Sequence, residues 1–326
     1  MIQRSIPIQF QHRIAFTHGA FDAKNHSLRD IVADACALDG TSKVLVLLDS
    51  GVAETNPDLA ERISRYFTAH ADTLTLVADP IILPGGESCK NNWSLVEKIW
   101  QAIEFFKICR HSYVIAIGGG AFLDLAGFGA ATAHRGIRLI RMPTTTLSQG
   151  DGGVGVKNGV NYFGKKNWVG TFSVPFAIVN DLEFLASLPP RACRDGIIEA
   201  IKVSLIRDRN FYDYLLANGA ALGRLETRPL EMTIRRSAEN HVEHIATSAA
   251  AEESTTRAAE RTRVRKETSR SPYQHHPTKP RASATGSFTP TASVRSATPS
   301  TLRPPLNAAS PTMAKPNMSE SLWLPP

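Results

Sequence analysis

Cysteine is sparse in this 326-residue chain, and none of it falls in CxxC spacing: Cys36, Cys89, Cys109 and Cys193 stand apart. Scattered cysteines of this kind fit free thiols in a reducing compartment. Long apolar runs are missing as well. No stretch of 18 consecutive apolar residues occurs, and the start MIQRSIPIQFQHR has no signal-peptide pattern. Neither a spanning helix nor a leader is therefore expected, and a soluble, cytoplasmic protein without a membrane partner is.

Aspartate, isoleucine and glycine run out near the end of the chain. Residues 249–326 contain no Asp, no Ile and one glycine (Gly286), yet hold 11 of the 20 prolines. A segment so rich in Ala, Ser, Thr, Arg and Pro cannot bury enough apolar surface to offset its ordering entropy, so a disordered low-complexity tail is predicted over 249–326. It carries 11 of the 37 Lys+Arg and 5 of the 30 Asp+Glu, which leaves 26 against 25 for residues 1–248. A near-neutral body argues against a nucleic-acid partner, despite the basic total.

Residues 1–248 read as folded protein. KVLVLLDS (43–50), TLTLVA (73–78), YVIAIGGG (113–120) and LIRMPTT (139–145) are strand-like. LAERISRYFTAHA (59–71) and WSLVEKIWQAIEFF (93–106) have helical apolar spacing. Alternation of this kind predicts an α/β fold, a parallel sheet covered by helices, over residues 1–184. From about residue 185 the pattern is helical, which predicts a second, incomplete α-helical domain over 185–248.

Three groups carry chemistry. The first is IAIGGGAFLDLAGF. Gly118, Gly119 and Gly120 at a strand end before a helix let the backbone approach a pyrophosphate, with Asp124 one turn on. A tight turn alone is the plainer reading. PGGESCKN adds weight through Glu87 and Lys90 after another glycine turn, and Asp49 is a carboxylate at a strand end where a ribose would lie. The second is PTTTLSQGDGGVGVKNGVNYFGKKN, whose glycines are too frequent for a regular element. Its Asp151, Lys157, Asn161, Lys166 and Asn167 suit a polyhydroxylated, phosphorylated ligand, against the alternative of a solvated loop. The third is Glu199 with Lys202 in GIIEAIK. These are either a surface i,i+3 ion pair or, given their isoleucine neighbours, a metal-ligating carboxylate beside a substrate-polarising lysine.

Together GGGAFLDLAGF, the PTT turn, the DGGVGVK loop, GKKN and IIEAIK resemble the 3-dehydroquinate synthase superfamily of sugar-phosphate cyclases, over roughly residues 40–248. The resemblance implies an N-terminal Rossmann-like NAD-binding α/β domain, a C-terminal helical domain and a homodimer. It implies NAD contacts at Gly85, Gly86, Glu87, Lys90, Gly120, Asp124, Thr144, Thr145, Lys157, Lys166, Phe184 and Ser187. It implies contacts to a heptulose phosphate at Asp151, Lys157, Asn161 and Lys202. Arg135 would reach the neighbouring subunit's phosphate site, and Glu199 would be the first of three zinc (or cobalt) ligands. The chemistry implied is oxidation of a ring hydroxyl by NAD, elimination of phosphate, return of the hydride and intramolecular aldol closure.

Two departures stand out. The loop reads DGGVGVKN, where 3-dehydroquinate synthases typically read DSSVGGKT, and so looks more like valiolone-type cyclases that use sedoheptulose 7-phosphate. The two downstream histidine ligands of the family have no counterpart. His275 and His276 lie in the tail, and His241 and His244 sit where similar helices carry residues that do not ligate. Residues 249–326 are therefore expected to be out-of-frame translation replacing the helical domain, with a genuine disordered extension as the alternative. The other functional readings are a metal- and NAD-dependent polyol dehydrogenase, which needs no Lys157–Lys166 loop, and a non-catalytic NAD-binding remnant.

Overall fold

A computed structural model describes residues 1–4, 9–33 and 41–268. The strands β1 (Ile14–Thr17), β2 (Ser42–Asp49), β3 (Leu74–Leu76), β4 (Ile81–Leu83), β5 (Tyr113–Gly118), β6 (Arg138–Pro143), β7 (Lys157–Tyr162), β8 (Lys165–Phe172) and β9 (Ala177–Asp181) alternate with helices in the first two thirds. The helices are α1 (Ser27–Ala33), α2 (Ser50–Thr55), α3 (Leu59–Ala69), α4 (Trp93–Phe105), α5 (Gly120–Thr132), α6 (Pro190–Arg207), α7 (Arg209–Ala217), α8 (Gly219–Gly223) and α9 (Thr227–Thr268).

Seven strands form one parallel sheet in the order β1-β9-β6-β5-β2-β3, with β4 also pairing β2. The central strands β2 and β5 are apolar almost throughout because helices cover both sheet faces. Alternation sorts their side chains. Leu45 and Leu47 join Leu95, Ile99 and Leu123 of α4 and α5 on one face. Val44, Val46 and Leu48 join Leu28, Ile63 and Phe67 of α1 and α3 on the other. Each such side chain, fully buried, stabilises the fold by about 1.5–3 kcal/mol. A third cluster, with Ile197, Phe211, Leu215, Leu230 and Ile234, joins α6, α7 and α9 to Leu182. The described residues of 1–184 and of 185–248 lie in one compact unit.

β2, β3, β5, β6, α3 and α4 follow the sequence pattern to within a few residues, α1, α2 and β4 had no expectation, and three further differences bear on the site. First, β1 and β9 extend the sheet, and the short IAFT of β1 carried no periodic signal. Second, the glycine-rich loop is regular at its end: β7 and β8 form an antiparallel hairpin. Phe163 and Gly164 turn it with φ of 50° and 68°, the two positive values that a two-residue hairpin needs. Its glycines serve the pairing, since a Cβ on Gly170 would lie 2.5 Å from Asn158 O. Third, α9 continues to Thr268, past the tail boundary expected at 249. Ala, Glu and Arg are good helix formers, so composition that cannot build a core can still propagate a helix. The rest of the expected tail, His275 and His276 with it, lies outside the described residues, as does Cys36.

Candidate functional site

The carboxyl edge of the sheet gathers the expected groups around the glycine bend. Gly119 caps α5 with no side-chain cap bond, and a helix N-terminus of this kind offers N–H donors that suit an anion. Close approach dictates the glycines. A Cβ on Gly118 would meet Phe122 Cδ1 at 2.7 Å and Asp49 Cβ at 2.9 Å, and one on Gly85 would lie 2.0 Å from Asp49 Oδ1. Asp49 is thus wedged between the two turns and accepts from Gly51 N–H at 2.9 Å. Burial pushes its carboxyl above the usual value, opposed by backbone hydrogen bonds from Gly51, Gly119 and Val52. Gly86 takes the left-handed conformation at φ 72°. Thr144 N–H donates to Gly118 O at 3.1 Å, and the hydroxyls of Thr145 and Ser148 pair at 2.8 Å, closing the loop over the bend.

One flank joins the 87–91 turn to α5 and the hairpin. Lys90 is almost fully buried, with Nζ 2.6 Å from Asp124 Oδ2 and in contact with Asn167 Oδ1. Burial raises the Asp124 carboxyl and Lys90 opposes the rise. Asn161 donates to Asn91 Oδ1 at 2.9 Å and accepts from Asn167 N–H at 2.8 Å. Exposed Lys166 reaches Glu87 at 3.4 Å. Asn161, expected beside Asp151 on the substrate side, therefore belongs to this flank. It is four residues from Lys157 along an extended strand, roughly 13 Å at the usual rise.

The other flank is a π turn, Ser148–Gly152, with Asp151 in it. Helix α9 docks on this turn closely enough that a Cβ on Gly150 would lie 3.0 Å from Ser237 Cβ. One helical turn on, His241 Nδ1 is 2.7 Å from Asp151 Oδ1. His241, then Lys202 and Lys157, hold the Asp151 carboxyl below the usual value against the opposing effect of burial. Helix α6 is seated just as tightly, since a Cβ on Gly196 would lie 2.6 Å from the backbone carbon of Thr146. Thr146 Oγ1 donates to the carbonyls of Ala192 and Cys193 at 2.9 and 3.0 Å. That contact fixes Glu199, whose Oε1 is 2.5 Å from Lys202 Nζ.

Some expected residues stand elsewhere. Arg135 follows the far end of α5, about 20 Å from the bend for a helix of this length, so within one chain it does not join the site. Phe184 is buried and Ser187 ends the same 3-10 turn, where its hydroxyl accepts from Asn56 Nδ2 at 3.2 Å. Glu199 belongs to no metal-ligand set: among the described residues no group of three His, Cys, Asp or Glu side chains could hold a metal ion. His244 lies against Arg207 at 3.1 Å. The donors among the described residues do not fit zinc or cobalt.

Sequence reasoning missed Arg141, the largest fully buried side chain among the described residues. Its signal was one charged residue inside the apolar strand LIRMP. The Asp151–His241 pair was missed too, because His241 was weighed only as a metal ligand.

Comparison with known proteins bears on these groups. Residues 80–195 match the family described as 3-dehydroquinate synthase N-terminal. The chain is 39% identical over 189 residues to 3-dehydroquinate synthase of Nitrosospira multiformis, covering 58% of this chain and 51% of that protein. It is 40% identical over 195 residues to that of Azotobacter vinelandii, covering 60% and 50%. The chain thus spans about half the length of the curated relatives it matches. Among solved structures it is similar to 2-epi-5-epi-valiolone synthase from Streptomyces hygroscopicus subsp. jinggangensis 5008, solved with NAD+ and Zn2+ bound. The TM-score is 0.64 and the identity 27%, over 76% of this chain and 64% of that one.

Proposed function

We propose that this chain, a member of the 3-dehydroquinate synthase superfamily, is an NAD-dependent sugar-phosphate cyclase acting on a heptulose phosphate. The observation that carries the reading is Asp151 surrounded by His241, Lys157 and Lys202 beside an uncapped glycine-bend helix. Oxidation of a simple alcohol has no use for two lysines there. A phosphorylated polyol does, because ammonium groups bind phosphate and hydroxyl oxygens through charge-assisted hydrogen bonds.

A dinucleotide fits the glycine bend. A Cβ at Gly86 would meet nothing within 4 Å, which leaves the turn open to a ligand, and the α5 terminus has donors for a pyrophosphate. Asp49, Lys90 and Asp124 border the same edge, with Gly120, Thr144 and Thr145 above it. When bound, NAD supplies a reversible hydride acceptor for one ring hydroxyl. The protein's own share is positioning. Lys157 and Lys202 hold the phosphate and hydroxyl oxygens of the sugar. Asp151, kept ionised by its three basic neighbours, accepts a hydrogen bond from a sugar hydroxyl with the oxygen His241 leaves free. A ketone next to the departing group acidifies the C–H between them, which lets phosphate leave before the ring closes. No step is routed through a metal, for which the donors among the described residues form no ligand set.

The loop DGGVGVK and the likeness to the valiolone synthase support sedoheptulose 7-phosphate as the substrate. A homodimer would give Arg135 a phosphate to reach. Phosphate release measured against net NADH tests the reading. Phosphate without NADH accumulation supports a cyclase, whereas NADH without phosphate identifies a polyol dehydrogenase and overturns it. NAD binding with neither product identifies a non-catalytic remnant.

A further inference from the structure

Arg141 lies on β6 beneath the site loop, and its guanidinium is completely buried. A buried cation is costly unless its donors are satisfied. This one spends four hydrogen bonds on a single loop. Nη1 donates to Gly153 O at 3.0 Å and Gly155 O at 2.8 Å, and Nη2 donates to Lys157 O at 2.9 Å and Asn158 Oδ1 at 2.5 Å. No carboxylate contacts it among the described residues. Only Nε lacks an acceptor among them. Burial pulls its pKa down to about 10, and Asp124 opposes the fall.

The neighbours are shaped to admit this arrangement. A Cβ on Gly127 of α5 would lie 1.7 Å from Asn158 Oδ1, so only glycine there lets Asn158 reach the guanidinium. Asn158 Nδ2 in turn donates to Ser173 O at 3.3 Å, tying the same point to the end of the hairpin. The carbonyls that Arg141 holds alternate along 153–157, so the fork fixes the backbone path between Asp151 and Lys157. Such a planar fork has no substitute in lysine, whose ammonium is a single point of charge.

We propose that Arg141 is a positioning residue for the site, which sets where Lys157 stands relative to Asp151 without touching the ligand itself. The proposal rests on the cyclase reading only in taking this loop as the ligand-binding loop. It does not depend on turnover.

The test is amide hydrogen exchange over 151–160 and over β2 and β5 in the full chain, for wild type, Arg141→Ala, Arg141→Lys and Gly127→Ala. Sedoheptulose 7-phosphate binding to the NAD-loaded protein is measured in parallel. Removing the fork, and with it all four hydrogen bonds, is expected to speed loop exchange by at least about a hundredfold and leave β2 and β5 unchanged. Arg141→Lys should behave like Arg141→Ala. Gly127→Ala, which attacks the fork from the other side, should give a smaller change in the same loop. Millimolar guanidinium should restore loop protection and sugar-phosphate affinity in Arg141→Ala but not in wild type, a rescue that a merely space-filling role would not produce. Unchanged loop exchange overturns the proposal, and so does a loss of protection spread equally over β2 and β5. If wild type binds NAD but no sugar phosphate, the substrate reading fails, while exchange and guanidinium rescue still decide the role of Arg141.

Discussion

His241 Nδ1 lies 2.7 Å from Asp151 Oδ1, which makes a residue of α9 a direct partner of the site's carboxylate. The pair joins the helical part of the chain to the loop that follows β6. It also accounts for the close seat of Gly150 on Ser237 one turn earlier, since without that approach the imidazole would stand back from the carboxylate.

The first prediction concerns this pair. Asp151 has a folded-state pKa below its ordinary value of 3.8. Its stabilisation is therefore complete above that value and lost as pH falls through the folded pKa. Asp151→Asn should cost about 1 kcal/mol near neutrality, kept small by partial exposure, and the difference from wild type should vanish in acid. His241→Ala should add little in the Asp151→Asn background, because the two share one interaction. Denaturant melts of the four proteins between neutral and acid pH check both points. Additive losses would disprove the coupling.

Gly85→Ala should abolish NAD binding. The added methyl would lie 2.0 Å from Asp49 Oδ1, and the carboxyl is short, buried and held by backbone donors, so it has nowhere to turn. Fluorescence titration with NADH measures the loss. Affinity within about threefold of wild type would mean that the turn has room the geometry denies.

Gly196→Ala separates two opposing effects. Helix propensity favours alanine by about 1 kcal/mol in mid-helix. Against it stands a contact 2.6 Å from the Thr146 backbone, and overpacking of this kind costs about 1–3 kcal/mol. The clash should win, giving a net loss and weaker sugar-phosphate binding as α6 carries Glu199 and Lys202 away. A thermal melt that rises instead would show that α6 is free to shift.

Ile198, Leu205 and Ile206 on α6 are 64%, 65% and 71% exposed, an apolar face open to solvent that should limit solubility. Leu205→Glu with Ile206→Lys should raise the soluble yield while changing stability by no more than about 0.5 kcal/mol, as exposed positions usually do. Loss of the folded signal would place these side chains in a core instead.

The sequence announced the sheet because β2 and β5 are continuous apolar runs ending in a carboxylate and in glycines. It offered Lys90, Asp124 and Asp151 as candidates because each follows a glycine or turn signal after a strand, and Glu199 because it shares a helix face with Lys202 three residues on. It was silent on β1, whose four residues are too few for a period. It misjudged 157–172 as irregular because glycine usually breaks strands, whereas here Gly159 and Gly170 are what allow two strands to meet. Arg141 and His241 were illegible for a different reason. Their roles depend on partners ten or more residues away, and no local pattern encodes a contact across β6, the loop and α9.

Calorimetric titration of the NAD-loaded chain with sedoheptulose 7-phosphate tests the central claim most directly. The account predicts binding that requires NAD and is lost in Lys157→Ala and in Lys202→Ala, with no binding of unphosphorylated glycerol. Equal binding by wild type and both lysine variants, or binding that is indifferent to NAD, would contradict it.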